Sequence, residues 1–432
     1  MDGMQIDDAV AAALSYLDSV DPASAADAAL GWEGLRAVSP PGGPTQISVQ
    51  TFLWSYLGES VGDPDRAWDI AEALAELLDR LGHARYADIA RSERTRELLT
   101  TTDEGSRQER FERAVNASGV APEDSDLITW QDVPEGAERA MVDLIGETLE
   151  VASVAGEFQS SGIDGKPLRD SAVAAKRRRI TDSVLRSERA GGVLLEQLLD
   201  HRIALWTRYS PPRVELYRDL NTALHDAIAP AYGCVRRLEG MLAIVGDGIT
   251  LTDKGYLPAP VVEQALGTLW TPREWPFPVG DERGTEPVLR VRRLLLRLGL
   301  VRKRHGRLLP TARAKEMSAD RLWSTLVERL VGAEYHPESI AAEVVLADVA
   351  RGSCSDDPSP LVTELLAAEG WSHVGGPDAA DKDLPLGDDV LQDLAALGLL
   401  VYGDDPAPTP DGMRLAAAVL RRRLLHTRIP SV

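Results

Sequence analysis

The stretch Pro287-Val288-Leu289-Arg290-Val291-Arg292-Arg293-Leu294-Leu295-Leu296-Arg297-Leu298-Gly299-Leu300-Val301-Arg302-Lys303-Arg304-His305-Gly306-Arg307-Leu308-Leu309-Pro310-Thr311 changes its hydrophobic period midway. Pro287 suits a first helical position. Val288, Val291, Leu294, Leu295 and Leu298 then recur at helical spacing, and Gly299 stands where such a helix stops. Leu300-Val301 and Leu308-Leu309 read as two short strands around a polar turn, and Thr311 can cap a further helix. Helix, hairpin and following helix make the back half of a winged-helix domain.

The same grammar returns downstream. A helix over Val390 to Leu397 ends at Gly398, Leu399 to Tyr402 reads as a strand, Gly403-Asp404-Asp405 as a turn, and Thr409-Pro410-Asp411 as a helix start. Upstream a looser copy runs through Met241 to Val245, the turn Gly246-Asp247-Gly248, Ile249 to Leu251 and Thr252. It reads as a partial hairpin. The expected fold class is therefore mainly α, an acidic helical N-terminal domain followed by winged-helix-like units.

Two of these segments, Val245 to Pro258 and Leu298 to Leu308, resemble uncharacterised actinobacterial helical proteins. Some of those share this C-terminal segment with plasmid-ORF-like, insertion-element passenger proteins. The resemblance spans roughly residues 240–330 and implies architecture and a bacterial setting. It supplies no catalytic residue. Related segments often carry Gly after the capping Thr, where this chain has Ala314.

The first third reads as helices. Asp63 can cap, Pro64 fits the first turn, and Ala67, Ile70, Ala71, Leu74, Leu77, Leu78 and Leu81 form a stripe that Gly82 ends. Further helices are expected over Ser48 to Leu57, from Pro134 to Gly156, through Lys176-Arg177-Arg178-Arg179, and from Glu188 to Arg208. The four consecutive basic residues read as a solvated face or linker edge. Loop signals cluster over Gln159 to Pro167. The expected division is 1–158 as an acidic helical domain, 159–187 as linker and basic helix, 188–330 as a helical segment with the partial hairpin and the central winged-helix-like unit, and 331–432 as a C-terminal winged-helix-like unit.

Charge is uneven across these parts. The chain of 432 residues has 47 Lys+Arg against 68 Asp+Glu, a net charge of −21. Residues 1–150 alone hold 11 basic and 30 acidic residues, a net of −19, whereas residues 151–350 hold 29 and 25, a net of +4. Such asymmetry separates modules with different partners. No apolar run is long enough to span a bilayer. The acidic start, Met1 to Asp8, is unlike a secretory signal, and Cys234 and Cys354 form neither a disulfide framework nor a Cys-only zinc site. A cytoplasmic setting is expected. Aromatic residues are few, so the core should be Leu, Ala and Val.

One chemical signal is concentrated. From Val288 to Lys315 the chain holds ten Lys or Arg and no Asp or Glu. Arg290, Arg293 and Arg297 fall in one helical stripe, on the helix that in a winged helix enters the major groove. Arg302, Lys303, Arg304 and Arg307 sit at the wing, where they would meet phosphates. Double-stranded DNA is one expected partner. The alternative is a protein scaffold whose basic face docks on an acidic surface, of the same chain or another. Asp388, Asp389, Asp404 and Asp405 suit the third segment to protein rather than DNA.

Enzyme constellations are absent or weak. No Gly-x-Ser-x-Gly, P-loop or His-Glu-x-x-His occurs. His201, His225-Asp226 and Asp247 are the nearest set to a metal-dependent hydrolase, but the predicted turn around Asp247 is wrong for a ligand, and His201 and His225 read as structural. Cys354 lies in a polar loop without a His at a telling spacing. No cofactor, metal or catalytic residue is expected. The expectation is a non-enzymatic regulatory or adaptor protein.

Overall fold

The structure, a computed structural model, describes residues 3–101, 104–159, 167–227, 229–315, 317–332, 336–355, 357–371, 387–401 and 407–428. It is mainly helical, with small antiparallel sheets. The chain divides into two compact units, Met1–Leu198 and Leu199–Val432. No helix among the described residues is long and apolar enough to cross a membrane.

The first unit opens with α1 (Gly3–Val20) and α2 (Pro22–Val38). Next, α3 (Gln46–Thr51) passes through a π-helical turn, Phe52–Tyr56, into α4 (Leu57–Val61). Then follow α5 (Pro64–Arg80), α6 (Ala84–Ala90), α7 (Glu93–Leu99), α8 (Glu104–Ser118), α9 (Gly136–Val154) and α10 (Asp170–Leu185). Helix α5 forms as its sequence dictates: the Asp63 carboxylate accepts from Asp65 N, Pro64 opens the first turn, and Gly82 takes φ +82° just past the end. Its apolar stripe is fully buried at Ile70, Leu74, Leu77 and Leu78. Helix α2 lies close on it, because a Cβ at Gly31 would sit only 3.1 Å from Leu74 Cβ. Trp32, Trp54 and Trp130 are core residues.

Two expectations for this region change. The helix expected from Glu188 starts later, because Glu188–Arg189 (β1) pairs with Gly192–Val193 (β2) around a turn in which Gly191 and Gly192 have φ of +101° and +108°. The basic run is not a solvated face throughout. Arg177 is buried, donating to Ala121 O at 2.6 Å and pairing with Glu123 at 2.8 Å. The loop expected at 159–167 lies mostly outside the described residues.

The second unit takes in most of α11 (Leu194–Tyr209), then α12 (Pro212–Tyr217), α13 (Asn221–Asp226) and α14 (Arg236–Val245). Strand β3 (Ile249–Thr250), α15 (Ala259–Leu269), a 3-10 turn at Glu282–Gly284, α16 (Glu286–Arg297), β4 (Val301–Arg304) and β5 (Arg307–Pro310) follow. The remainder is α17 (Ala312–Lys315), α18 (Ala319–Arg329), α19 (Pro337–Arg351), α20 (Ser359–Ala368), α21 (Asp388–Ala396), β6 (Leu400–Val401), β7 (Ala407–Pro408) and α22 (Pro410–His426).

The expected strand Met241–Val245 is a correction. It is the end of α14, whose Leu238, Met241 and Val245 are buried at helical spacing. There is consequently no separate upstream hairpin. Gly246 ends the helix with φ +50°, and β3 crosses to pair with β5, Ile249 opposite Leu308 and Thr250 opposite Arg307. The sheet order is β3-β5-β4.

The two downstream hairpins are present and repeat each other bond for bond. Leu300 N donates to Leu295 O and Leu399 N to Leu394 O, both at 2.9 Å. Thr311 N donates to Leu300 O and Thr409 N to Leu399 O, again at 2.9 Å. Gly299 and Gly398 take φ of +70° and +74°, and the hydroxyls of Thr311 and Thr409 cap the next helices. The expected turn Gly403-Asp404-Asp405 lies outside the described residues.

The core of this unit holds a buried ion network. Glu343 on α19 is fully buried and accepts from Arg213 Nε at 2.9 Å, Arg213 Nη2 at 3.2 Å and Tyr217 Oη at 2.8 Å. Arg423 on α22 approaches Glu343 Oε2, the oxygen that accepts from Arg213 Nη2, at 3.5 Å, and Arg213 also pairs with Glu369 and lies 4.5 Å from the Trp206 ring centroid. One carboxylate thus ties α12, α19 and α22 together.

Candidate nucleic-acid interface

The β4–β5 hairpin turns on two residues, His305 and Gly306, with φ of +49° and +70°. Positive φ at both positions is the requirement of a tight two-residue hairpin turn. Alternation along β4 then sorts the basic residues. Val301 is buried and Arg302 and Arg304 are exposed on the other face. On β5, Leu308 is buried opposite Lys303, and Arg307 lies directly opposite Arg304. Since opposed residues share a face, the outer face of the sheet presents Thr250, Arg302, Arg304 and Arg307, with the half-buried Leu309 opposite Arg302.

Lys303 turns instead toward the core side of the hairpin, where its Nζ donates to Gly255 O at 3.3 Å. Desolvation, with repulsion from Arg292 and then Arg293, lowers its pKa, and Glu282 opposes the shift. Arg307 donates to Gly248 O at 3.3 Å. Among the described residues, no carboxylate lies within 4.0 Å of the charged groups of Arg293, Arg302, Arg304 or Arg307.

Helix α16 does not present the arginine stripe that its sequence implies. Its four arginines have three different fates. Arg292 is buried and paired with Glu282, whose other oxygen accepts from Leu257 N at 2.7 Å. Arg290 and Arg297 face α21: Arg290 pairs with Asp389 at 2.6 Å and with Glu286 at 3.2 Å, and Arg297 pairs with Asp393. Arg293 is exposed, with no carboxylate partner among the described residues. Burial raises the pKa of Asp393 even though Arg297 and Arg290 act to lower it. The expected groove-entering face of α16 is thus partly occupied by α21: the Arg290 side chain is 16% exposed, and Arg297, though paired, is 42% exposed.

Sequence reasoning placed the basic hairpin correctly in the chain but missed Asp389 and Asp393 as partners of the helix. Their only signal was an acidic patch on the repeated segment, Asp388, Asp389 and Asp393, the last two one helical turn apart.

Elsewhere, the first unit has an open cleft of about 650 Å³ lined by Pro40, Pro41, Tyr56, Arg139, Asp143 and Glu147. Burial raises the pKa of Asp143, which Arg139 holds at 3.2 Å, and burial with repulsion from Asp143 raises that of Glu147. His225 pairs with Asp200 at 2.9 Å, and the Asp247 side chain is fully exposed. No group of three or more His, Cys, Asp or Glu able to hold a metal ion occurs among the described residues. Burial pushes the Cys234 thiol up to about 12, a value unsuited to a nucleophile.

No protein-family model matches the chain, and comparison with curated proteins and with solved structures found no similar protein.

Proposed function

We propose that the second unit binds double-stranded DNA through the outer face of the β4–β5 hairpin, chiefly by phosphate contacts, and that the chain acts as a regulatory or adaptor protein. In this reading Arg236 to Pro310 is a winged-helix arrangement. The order helix, strand, helix, helix, strand, strand and the sheet order β3-β5-β4 support it.

The observation that carries the reading is the opposed pair Arg304 and Arg307. Like charges directly opposite in a sheet destabilise it. Here they stand beside Arg302 with no acid in reach among the described residues, an arrangement that favours a polyanion laid across the strands. Arg293 extends the basic surface from α16.

Fluorescence anisotropy of the full chain with labelled duplex at several salt concentrations tests it. Binding that weakens with salt, and weakens further in R302A/R304A/R307A, is expected. Absence of binding at low salt removes the reading. A second reading, docking of the same face on an acidic protein surface, is favoured by the carboxylate partners that Arg290 and Arg297 already take. Binding to a polyglutamate chain but not to duplex would select it.

A further inference from the structure

Asp389 and Asp393 lie one helical turn apart on α21 and meet Arg290 and Arg297 of α16. The packing of α21 does not require these acids. The helix is held by Val390, Leu394 and Leu397, all buried, and by Gly387, where a Cβ would fall 2.7 Å from Val345 Cγ2. The Asp389 side chain is 80% exposed, so it adds no buried contact of its own. Asp393 is 2% exposed, an unfavourable place for a carboxylate that a well-packed apolar residue could fill at no loss. Both acids therefore act on the two arginines more than on the fold.

We infer that Asp389 and Asp393 mask α16: they withhold Arg290 and Arg297 from nucleic acid and restrict the unit to phosphate contacts made by the hairpin and Arg293. The inference rests on the DNA-binding reading above. Its consequence is binding with little sequence preference, because base edges are read by a side-chain row that enters the major groove, and α21 lies along that row. The same two carboxylates set the affinity by subtracting two cations from the phosphate-binding surface.

The test compares the full-length chain with D389N/D393N, in anisotropy titrations on a mixed-sequence duplex at several salt concentrations. Asn keeps the size of each side chain and removes the charge, so α21 stays packed while the arginines are released. The double variant should bind more tightly, with a salt slope steeper by about 0.9 for each freed arginine that reaches a phosphate. D388N, which removes an exposed charge outside these pairs, should change the slope far less. R290Q/R297Q should leave the slope of the parent chain unchanged and should abolish the gain when combined with D389N/D393N. Should the double variant fold poorly, as read by circular dichroism, D389N alone should still give one arginine's increment.

An unchanged slope in D389N/D393N overturns the mask, as does a loss of slope from R290Q/R297Q in the parent chain. Either result leaves the hairpin reading standing if R302A/R304A/R307A still weakens binding. If no form binds duplex at low salt, both readings fall together.

Discussion

Arg290 on α16 donates to the Asp389 carboxylate on α21 at 2.6 Å, although 99 residues of chain separate them. The contact joins corresponding helices of two repeated segments, each followed by a glycine, a hairpin and a threonine cap. One copy carries the cations and the other the anions, so the repeat brings the complementary faces together. The arginine side chain is 16% exposed, against a helix face that the sequence alone presents as open. A dense run of basic residues is therefore a poor measure of basic surface until the partners of each residue are known.

The repeat makes its own prediction at the two helix-ending glycines. A Cβ at Gly398 would fall 2.4 Å from Arg237 Nη1, which donates to Ala396 O at 3.0 Å and whose Nε donates to Leu269 O at 3.1 Å. At Gly299 the nearest atom, Arg329 Nη1, is 3.4 Å away. Both positions have positive φ, which costs a side chain about 1–2 kcal/mol. G299A should lose about that much. G398A should lose a further ~1–3 kcal/mol, because moving Arg237 breaks its hydrogen bonds to Leu269 O and to Ala396 O, the latter then keeping only the Trp270 Nε1 donor at 3.2 Å. Urea unfolding of the two variants measures the difference, and equal losses would show that Arg237 yields freely.

What the sequence disclosed depended on whether the signal was local. Asp63, Pro64, the stripe through Leu78 and Gly82 fully specify α5, because cap, first turn, face and stop all lie within one segment. The hairpin at Arg302 to Arg307 was legible for the same reason. Met241 to Val245 was not, since a short apolar run fits helix and strand equally and only the burial of Leu238 on the same face decides it. Arginine was the least legible residue. Arg177, Arg213, Arg237 and Arg423 are buried and bind backbone carbonyls or carboxylates distant in sequence. Nothing in the neighbouring residues separates these from Arg302 or Arg304. The interface was thus half visible: the hairpin from its strands, and the covering of α16 only from the fold.

The buried network at Glu343 should govern the acid stability of the second unit. Burial alone would raise the pKa of this carboxyl, but Arg213, Arg423 and the Tyr217 hydroxyl outweigh it and hold the group below its ordinary value of 4.5. A carboxyl depressed in the folded state stabilises the fold above its unfolded pKa, and that contribution is lost as pH falls through the folded value. Denaturation midpoints of the parent chain should therefore drop as the pH is lowered below about 4.5. E343Q keeps the shape but takes the countercharge from Arg423 and one of two carboxylates from Arg213, which keeps Glu369, and should cost about 3–5 kcal/mol at neutral pH. Its stability should also lack the acid-dependent component due to Glu343. Equal acid limbs in the two proteins would assign acid sensitivity to other carboxyls.

The opposed arginines of the hairpin separate binding from stability. Arg304 and Arg307 face each other across β4 and β5 with no acid in reach among the described residues, so the fold bears their repulsion. R304E converts the pair to opposite charges and should stabilise the hairpin by roughly 0.2–1 kcal/mol. The same substitution places a negative charge on the surface proposed to meet phosphates, and should weaken duplex binding while lowering the salt slope by about 0.9 for the lost contact. R304A should be intermediate in both measurements. Thermal melting and anisotropy on the same samples then give opposite trends across Arg, Ala and Glu. A residue kept for the fold would show melting temperature and affinity falling together. Affinity falling while melting temperature rises or holds is the result expected of a residue kept for its ligand.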